Sequence, residues 1–421
     1  MTTPPPAGPA PSLLSSRRLP SPGAFPRTII FLRLALAVCL AASLLLAGCG
    51  GRGRPEGSDP SAPPAPRPGT GAAVRGVAAP WTDLARRLRD RGLPEANLAA
   101  FFNSPGLRFN PAPMETKLRE LYGIFYRSDL TRSVQEKLFE LGYDVGIDGR
   151  MGPGTKKVVQ AFQSDNGLAA DGKITDDLDV RLKVALIKGK VRDLSQYKPP
   201  PAREPSRTAT HGQFTNKTAL ATIAGHYAAD KPLFDRMEAA YGVPGQVVAS
   251  IMWIETGYGT FFGTQKAAHS LASMAASANY DLVAPRLTDI DTNSEARAYL
   301  KETAEARGGW AADELRALLE YAWRNRLDPS EFPGSVYGAI GYGQFMPSNI
   351  SKFAVDGNGD GRIDLFDKTD AVFSIGNFLR GSGWRGPMAD QEARRKVVML
   401  YNRSATYVNT VLFVARHLGA Q

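Results

Sequence analysis

Apolar residues recur every three or four positions over much of the chain, which places them on one face of a helix. Four segments show this spacing, and their apolar positions are Trp81, Leu84 and Leu88; Val134, Leu138 and Leu141; Val158, Val159 and Phe162; and Val247, Val248, Ile251 and Ile254. The pattern predicts a mainly α fold.

A different apolar pattern stands near the start of the chain. Residues 34–46 form a run of 13 apolar or small residues, which is too short to span a membrane but fits the hydrophobic region of a signal peptide. The run leads directly into Leu46-Ala47-Gly48-Cys49, which resembles the bacterial lipoprotein box. The resemblance implies cleavage before Cys49 and lipidation of its thiol. An ordinary signal peptide cut nearby and an uncleaved anchor remain the alternatives.

The segment after Cys49 lacks apolar periodicity and is rich in Gly, Pro, Ala and Arg. We therefore expect residues 49–80 to form a disordered tether behind the signal peptide of residues 1–48. Two or more acyl chains would anchor the protein stably to a membrane. Residue 50 is Gly rather than Asp, which in enteric bacteria points to the outer membrane, so we expect a Gram-negative envelope protein facing the periplasm.

Composition excludes several classes of function. The net charge is +10, but eight Arg and only two acidic residues lie in the first 80 positions, so most of the positive charge lies outside the predicted folded body. We therefore expect no nucleic-acid partner. Both Cys precede residue 50, and the four His show no paired metal-ligand spacing, which argues against a zinc hydrolase.

Residues 131–182 contain a loose internal repeat. Asp148-Gly149 and Asp171-Gly172 each follow a predicted helix, and Asp-Gly pairs suit tight turns. The segment resembles the peptidoglycan-binding type 1 domain, a small three-helix fold. Its matching positions are Leu138, Leu141-Gly142, Asp148-Gly149, Gly152, Thr155, Phe162-Gln163, Gly167-Leu168 and Asp171-Gly172. The resemblance implies a peptidoglycan-binding module over residues 127–187, although most of these residues individually need only build turns.

One carboxyl group stands at the end of an apolar helix. Glu255 follows Val248 by seven positions and Ile251 by four, and Gly257 and Gly259 end the helix directly afterwards. Burial and the helix dipole both disfavour an ionised carboxyl there, which raises its pKa as a general acid near neutrality requires. The simpler alternative is a partly exposed Glu at a helix end.

Two loops after the helix that carries Glu255 contain further candidate functional residues. Residues 334–343 contain four Gly, which favours close approach of the backbone to a ligand, and Gln344 adds an amide. Residues 356–367 match the EF-hand loop except that position 12 is Asp rather than Glu. The ligands would be Asp356, Asn358, Asp360, Arg362 through its carbonyl, Asp364 through water, and Asp367. We therefore expect a structural Ca²⁺ site and no organic cofactor.

The order of these motifs resembles the membrane-bound lytic murein transglycosylase B family. The motifs are Ile254-Glu255-Thr256, residues 341–348, Ala354-Val355-Asp356 with the loop behind it, and Tyr401-Asn402-Arg403-Ser404. The resemblance implies a lysozyme-like catalytic domain in which Glu255 is the catalytic acid. It also implies that the cleft is lined by Ser335, Gln344, Tyr401 and Asn402, with Tyr258 close by.

Residues 81–126 resemble the N-terminal helices of the same family, so the peptidoglycan-binding module is inserted into the catalytic domain. We expect residues 81–126 and 211–421 to form that domain, with a Pro-rich linker over 188–210. The expected product is 1,6-anhydro-MurNAc, released from peptidoglycan. The sequence leaves the oligomeric state open, with a monomer as the default.

Two alternatives remain. A hydrolytic muramidase on the same fold would need a second carboxylate, which Asp or Glu residues in 275–331 could supply. A non-catalytic peptidoglycan-binding lipoprotein would need neither Glu255 nor Gln344.

Overall fold

The computed structural model describes residues 72–123, 127–188, 193, 197, 208–291, 294–386 and 391–419. The predicted signal peptide, the lipidation site Cys49 and most of the predicted tether therefore lie outside the described residues.

Three short helices open the described chain: α1 (Thr82–Asp90), α2 (Glu95–Phe102) and α3 (Ala112–Leu121). Trp81 precedes α1 and stacks against Phe102 with ring centroids 5.9 Å apart. The apolar faces of these helices belong to the same hydrophobic core as residues 214–415. The N-terminal helices and the C-terminal half of the chain therefore fold as one body.

The segment between them has its own core. Helices α4 (Arg127–Glu140), α5 (Pro153–Asp165) and α6 (Asp176–Lys188) bury an apolar cluster that includes Val134, Leu138 and Phe162. The segments before and after this three-helix unit share the other core. The unit is therefore inserted, in sequence, into the body that those segments form. The exact domain limits stay a prediction.

The C-terminal half is also helical. Its helices are α7 (Gly212–Thr215), α8 (Lys217–Ala229), α9 (Lys231–Tyr241), α10 (Gly245–Thr256), α11 (Ala267–Ala276), α12 (Ser294–Arg324), α13 (Pro347–Phe353), α14 (Lys368–Gly381), α15 (Gln391–Tyr401) and α16 (Ala405–His417). Short 3₁₀ turns lie at Tyr280–Leu282, Ala284–Arg286 and Pro329–Glu331. The long helix α12 packs against α11 and α13, and α10 packs against α16.

One small ribbon completes the fold. Strand β1 (Gln265–Lys266) pairs antiparallel with β2 (Pro333–Gly334), with Gln265 opposite Gly334. Just before β1, Gly263 has φ 113°, and a Cβ there would lie 2.0 Å from the carbonyl oxygen of Gly334. Only glycine allows this close approach.

The prediction of a mainly α fold is confirmed by these elements. Among the residues that the structure describes, no helix is long and apolar enough to cross a membrane.

Candidate active site

Glu255 lies in the last turn of α10, where the sequence predicted it. The helix is buried on almost every side, because Val247, Ile251 and Ile254 pack into the core. It ends in two consecutive residues of left-handed conformation, Gly257 at φ 57° and Tyr258 at φ 60°. A positive φ is unusual for a non-glycine residue and occurs often at functional sites.

The environment of the Glu255 carboxyl favours its protonated form. The residue is 5% exposed. Burial raises the pKa of Glu255 from 4.5 to about 7, and a hydrogen bond from the Tyr407 hydroxyl acts in the opposite direction. The carbonyl end of α10 also disfavours negative charge at this position. Glu255 can therefore both donate and accept a proton near neutral pH.

Tyr407 was not predicted from the sequence. It lies in the first turn of α16, is fully buried, and reaches Glu255 because α16 packs against α10. The local sequence signal is its place five residues after Asn402 and three residues after the helix cap Ser404. That signal marks a helix start and does not identify a contact with Glu255.

Tyr401 lies between Glu255 and the glycine-rich loop. Its hydroxyl donates to the carbonyl oxygen of Gly343 at 2.5 Å. Burial raises the pKa of Tyr401, and the negative charge of Glu255 raises it further. A Cβ on Gly343 would lie 2.6 Å from the Tyr401 hydroxyl oxygen, so glycine permits this contact. The structure therefore brings Tyr401, the loop and Glu255 together.

The loop itself is held by short antiparallel bridges. Ile340 pairs with Gly334 on one side and with Phe345 on the other. Ser335 accepts hydrogen bonds with its Oγ from the backbone N–H of Ala339 at 3.0 Å and of Tyr337 at 3.3 Å. The Ser335 hydroxyl therefore shapes the turn, and it keeps a proton of its own to donate.

Gln344 occupies a constrained position at the end of this loop. Its φ is 47°, and its Nε2 donates to the carbonyl oxygens of Gly341 at 3.1 Å and Phe262 at 3.4 Å. Its Oε1 is buried and has no hydrogen-bond partner among the described residues. A buried acceptor without a partner costs free energy, so this oxygen is suited to receive a donor from a ligand.

The other two predicted cleft residues differ in their surroundings. Asn402 is buried directly after Tyr401, at the end of α15. Tyr258 is also buried, but its hydroxyl donates to Asp230 Oδ2 at 2.8 Å, and its ring stacks against His226 with centroids 4.7 Å apart. Lys368 Nζ lies 2.7 Å from the same Asp230 oxygen. The Tyr258 hydroxyl therefore holds the turn after Glu255 against α8 and α14.

A second buried carboxylate lies in the stretch where a hydrolase could carry its second acid. Glu314, on α12, is 5% exposed. Its Oε2 accepts the backbone N–H of Ser348 and its Oε1 accepts the Ser348 hydroxyl, both at 2.8 Å. Both carboxylate oxygens are therefore bound to Ser348, in the first turn of α13 and four residues beyond Gln344. No local sequence pattern indicates this contact.

The acidic loop 356–367 forms the turns that its sequence predicts. Asp356 accepts hydrogen bonds from backbone N–H groups of residues 359, 360 and 361, and Asp360 accepts from that of Arg362. Asn358 accepts from Asp360, and Asp367 caps α14 by accepting from Thr369 and Asp370. The loop is tied to the glycine-rich loop, because Tyr342 N–H donates to the carbonyl oxygen of Leu365 at 3.1 Å.

The donor set of this loop is chemically suited to Ca²⁺, which prefers oxygen ligands. Burial raises the pKa of Asp364, and the charges of Asp367 and Asp360 raise it further, so these carboxylates lie close enough to repel. Within the described residues, however, no group of three or more His, Cys, Asp or Glu side chains is arranged to hold a metal ion. The chemistry fits the ion, but the side chains do not converge on one point.

Comparisons with known proteins show what the chain is similar to. The family model described as "Transglycosylase SLT domain" matches residues 157–394, more than half of the chain. The model described as "Putative peptidoglycan binding domain" matches residues 127–178.

One curated relative is the membrane-bound lytic murein transglycosylase B of Escherichia coli strain K12. It is 34% identical over 150 residues, which are 36% of this chain and 34% of that protein. The chain thus spans about a third of the length of the curated relative it matches.

Two solved structures are similar at low identity. The soluble lytic transglycosylase SltB1 from Pseudomonas aeruginosa is 21% identical with a TM-score of 0.41, over 63% of this chain and 98% of that one. The Escherichia coli lytic transglycosylase Slt35 in complex with calcium is 18% identical with a TM-score of 0.41, over 68% of this chain and 97% of that one.

Proposed function

The chain belongs to the transglycosylase SLT domain family, and on that premise we propose that it is a lytic transglycosylase of peptidoglycan. The family resemblance predicted from the sequence is confirmed by the match over residues 157–394. The proposed reaction cleaves the β-1,4 bond between MurNAc and GlcNAc and forms 1,6-anhydro-MurNAc. The observation that carries the proposal is the buried Glu255, whose pKa burial raises to about 7.

Glu255 would act first as acid and then as base. In its protonated form it donates the proton to the glycosidic oxygen while the bond from that oxygen to C1 of MurNAc breaks. The 6-hydroxyl of the same MurNAc then closes on C1, and its proton passes to the Glu255 carboxylate. The ring closure consumes no water and regenerates the acid. An intramolecular nucleophile has a high effective concentration, so a second carboxylate is not needed.

Four further residues would hold the sugar near Glu255. The unpartnered Gln344 Oε1 can accept from a hydroxyl or an N-acetyl N–H of the substrate. Tyr401, which faces Glu255, and its neighbour Asn402 would contact the sugar beside the reacting bond. Ser335 keeps a free proton to donate, and Tyr258 would contribute mainly through the turn that it holds.

A digest of purified sacculi tests the proposed reaction. We expect soluble products whose MurNAc end is lighter by one water than that of the products of a hydrolytic muramidase run in parallel. The difference arises because ring closure replaces hydrolysis, and mass spectrometry of the released fragments measures it. Products with a free reducing end and no anhydro species would show that the enzyme is a hydrolase.

We also propose that the protein is lipid-anchored at Cys49 and faces the periplasm, in the outer membrane. The support is the lipoprotein box with its short apolar run, together with Gly50 behind the Cys. The curated relative is named membrane-bound, which is consistent with an anchor. The three-helix unit of this chain would bind peptidoglycan strands, as the matched family description indicates.

Finally, we propose that the loop 356–367 binds Ca²⁺ as a structural ion. The six oxygen-donor positions follow the EF-hand order, and a cation would relieve the repulsion among Asp360, Asp364 and Asp367. We expect millimolar Ca²⁺ to raise the melting temperature by about 3 °C, because a ligand that binds only the folded state stabilises it.

The Ca²⁺ effect has matched controls. Asp360→Ala is expected to abolish the shift in melting temperature, measured by differential scanning fluorimetry with and without chelator. Asp235→Ala removes an exposed carboxylate paired with Lys231 outside the loop, and it should leave the shift unchanged. An equal Ca²⁺ response in the Asp360→Ala variant would contradict the proposed site.

A further inference from the structure

A small cavity lies between the start of α10, the segment just after α14, and the last two helices, α15 and α16. Its volume is about 30 Å³. Four of the side chains that line it carry N–H donors, namely Trp384, Gln391, Arg394 and Arg416. The rest of its wall is apolar and includes Val247 and Leu412. A cavity of this volume has room for roughly one or two groups the size of water.

Trp384 carries a buried donor without an acceptor. The residue is 1% exposed, and its indole Nε1 has no hydrogen-bond partner among the described residues. Its backbone is held by α14, because its N–H donates to the carbonyl oxygen of Leu379 at 2.9 Å. A buried N–H without an acceptor costs free energy. The indole is therefore suited to donate to a group that enters the cavity.

Arg394, on α15, repeats this feature with a charged group. Its Nε is buried and likewise lacks a hydrogen-bond partner in the described part of the chain. The Nε of Arg416, on α16, donates to the carbonyl oxygen of Leu412 at 3.2 Å. Over the described residues, neither guanidinium group has a carboxylate within ion-pair distance. Two positive charges therefore line the cavity without a counter-charge.

The surroundings of the cavity are positively charged as well. No acidic side chain of the described residues lines it. Glu238, on α9, accepts the N–H of Gly245 at the start of α10 at 3.0 Å and does not form part of the wall. Residues 380–421 contain seven Lys or Arg and two acidic residues. The electrostatic potential of this region therefore favours an anion.

We propose that this cavity binds a phosphate group. Two guanidinium groups supply a charge of about +2, which a phosphate monoester or the inorganic ion, at about −1.5 to −2 near pH 7, matches better than a carboxylate does. Phosphate oxygens also point in several directions, so one oxygen can accept from the indole N–H of Trp384 while others accept from Arg394 and Arg416. Free phosphate and a phospholipid headgroup share this chemistry.

The phosphate site is separate from the proposed catalytic cleft. Val247 precedes Glu255 by eight residues on α10, which corresponds to about 12 Å along the helix. None of the side chains proposed to hold the sugar lines the cavity. Phe413, which is exposed and lies one turn before Arg416 on α16, offers an apolar contact beside the site for a lipid acyl chain. The proposal does not depend on the proposed reaction.

Two probes test the site in the purified protein: inorganic phosphate, and dihexanoylphosphatidic acid used below its micelle concentration. Isothermal titration calorimetry at constant ionic strength measures the binding of each. We expect Arg394→Met to bind at least about tenfold more weakly, because it keeps the aliphatic stem and loses a charge-assisted hydrogen bond. Lys396→Met removes an exposed cation of the same helix outside the cavity, and it should bind like the parent protein.

The two probes also distinguish the sources of the phosphate. Equal affinity for both probes, lost in Arg394→Met, identifies a site for the phosphate group alone. Tighter binding of the lipid identifies a headgroup site, and Phe413→Ser should then remove the difference between the probes. No binding of either probe by the parent protein, or equal binding by the parent protein and Arg394→Met, would overturn the proposal.

Melting temperatures distinguish a ligand site from an arginine that holds the fold. Without phosphate, Arg394→Met should melt no lower than the parent protein, because it removes a buried donor that has no acceptor. Added phosphate should raise the melting temperature of the parent protein and leave that of the variant unchanged, since a ligand stabilises the state that binds it. A variant that melts well below the parent protein in phosphate-free buffer would contradict the unpartnered state on which the proposal rests.

Discussion

Replacement of Glu255 by Gln is expected to reduce kcat on peptidoglycan by about a thousandfold or more, in the upper part of the range for loss of a general acid. The carboxamide is nearly isosteric but has no proton to transfer to the glycosidic oxygen. It also cannot accept the proton of the 6-hydroxyl, so both halves of the proposed reaction are lost. The rate of release of soluble anhydro-muropeptides from sacculi measures the effect.

The matched control is Glu302→Gln, an exposed Glu on α12. This variant should keep the parent rate and the parent melting temperature. Undiminished digestion by the Glu255→Gln variant would sink the role assigned to Glu255.

The raised pKa of Glu255 also predicts how activity depends on pH. Since the free enzyme needs the protonated carboxyl, kcat/KM should be flat below neutrality and fall about tenfold per pH unit above the pKa of about 7. A profile of kcat/KM that is level from pH 6 to pH 9 would contradict this assignment.

Glu255 also makes the free energy of unfolding depend on pH. The pKa of Glu255 rises from 4.5 to about 7 on folding, so the folded state binds the proton more tightly than the unfolded state. The stabilising contribution is complete below pH 4.5 and is lost as pH rises through about 7. For a shift of this size the loss is on the order of 3 kcal/mol.

The Glu255→Gln variant has no such loss, because its side chain does not ionise. Its melting temperature relative to the parent protein should therefore increase between pH 5 and pH 8. This comparison needs no substrate, so it tests the environment of Glu255 independently of the proposed reaction.

Local sequence was sufficient to place Glu255. The apolar spacing of Val248 and Ile251 fixed the buried face of α10, and the glycines at 257 and 259 marked its end. Burial and the high pKa follow from those two facts, since a carboxyl at the carbonyl end of a buried helix has little access to water. The mainly α fold followed from the same periodicity.

The partners of these groups could not be predicted in the same way. Tyr407 reaches Glu255 only because α16 packs on α10, and Glu314 reaches Ser348 only because α12 packs on α13. Neither pair is close in sequence, and neither contact leaves a local pattern. In the acidic loop 356–367, by contrast, the spacing of the acidic residues predicted the turns correctly. It could not show that the side-chain oxygens accept hydrogen bonds from the loop's own backbone.

Substitutions of Glu314 distinguish two roles for this residue. It either positions the loop that carries Gln344 or acts as a second catalytic carboxylate. Burial raises the pKa of Glu314, and its two hydrogen bonds with Ser348 lower it in part. Those bonds fix the first turn of α13, and α13 begins three residues after Gln344. Loss of the carboxylate should therefore move the loop that carries Gln344.

We expect Glu314→Ala to lower the free energy of unfolding by roughly 2–4 kcal/mol, because the buried N–H and hydroxyl of Ser348 lose their acceptors. We also expect a clear drop in kcat, since the glycine-rich loop loses its support. Glu314→Gln should retain most of both quantities, because its amide oxygen can accept the Ser348 N–H and its amide nitrogen can donate to the hydroxyl. Denaturant unfolding and the sacculus digest measure the two effects side by side. A stable but inactive Glu314→Gln protein would mean that the ionisable carboxyl itself takes part in the chemistry, as a hydrolase with two carboxylates requires.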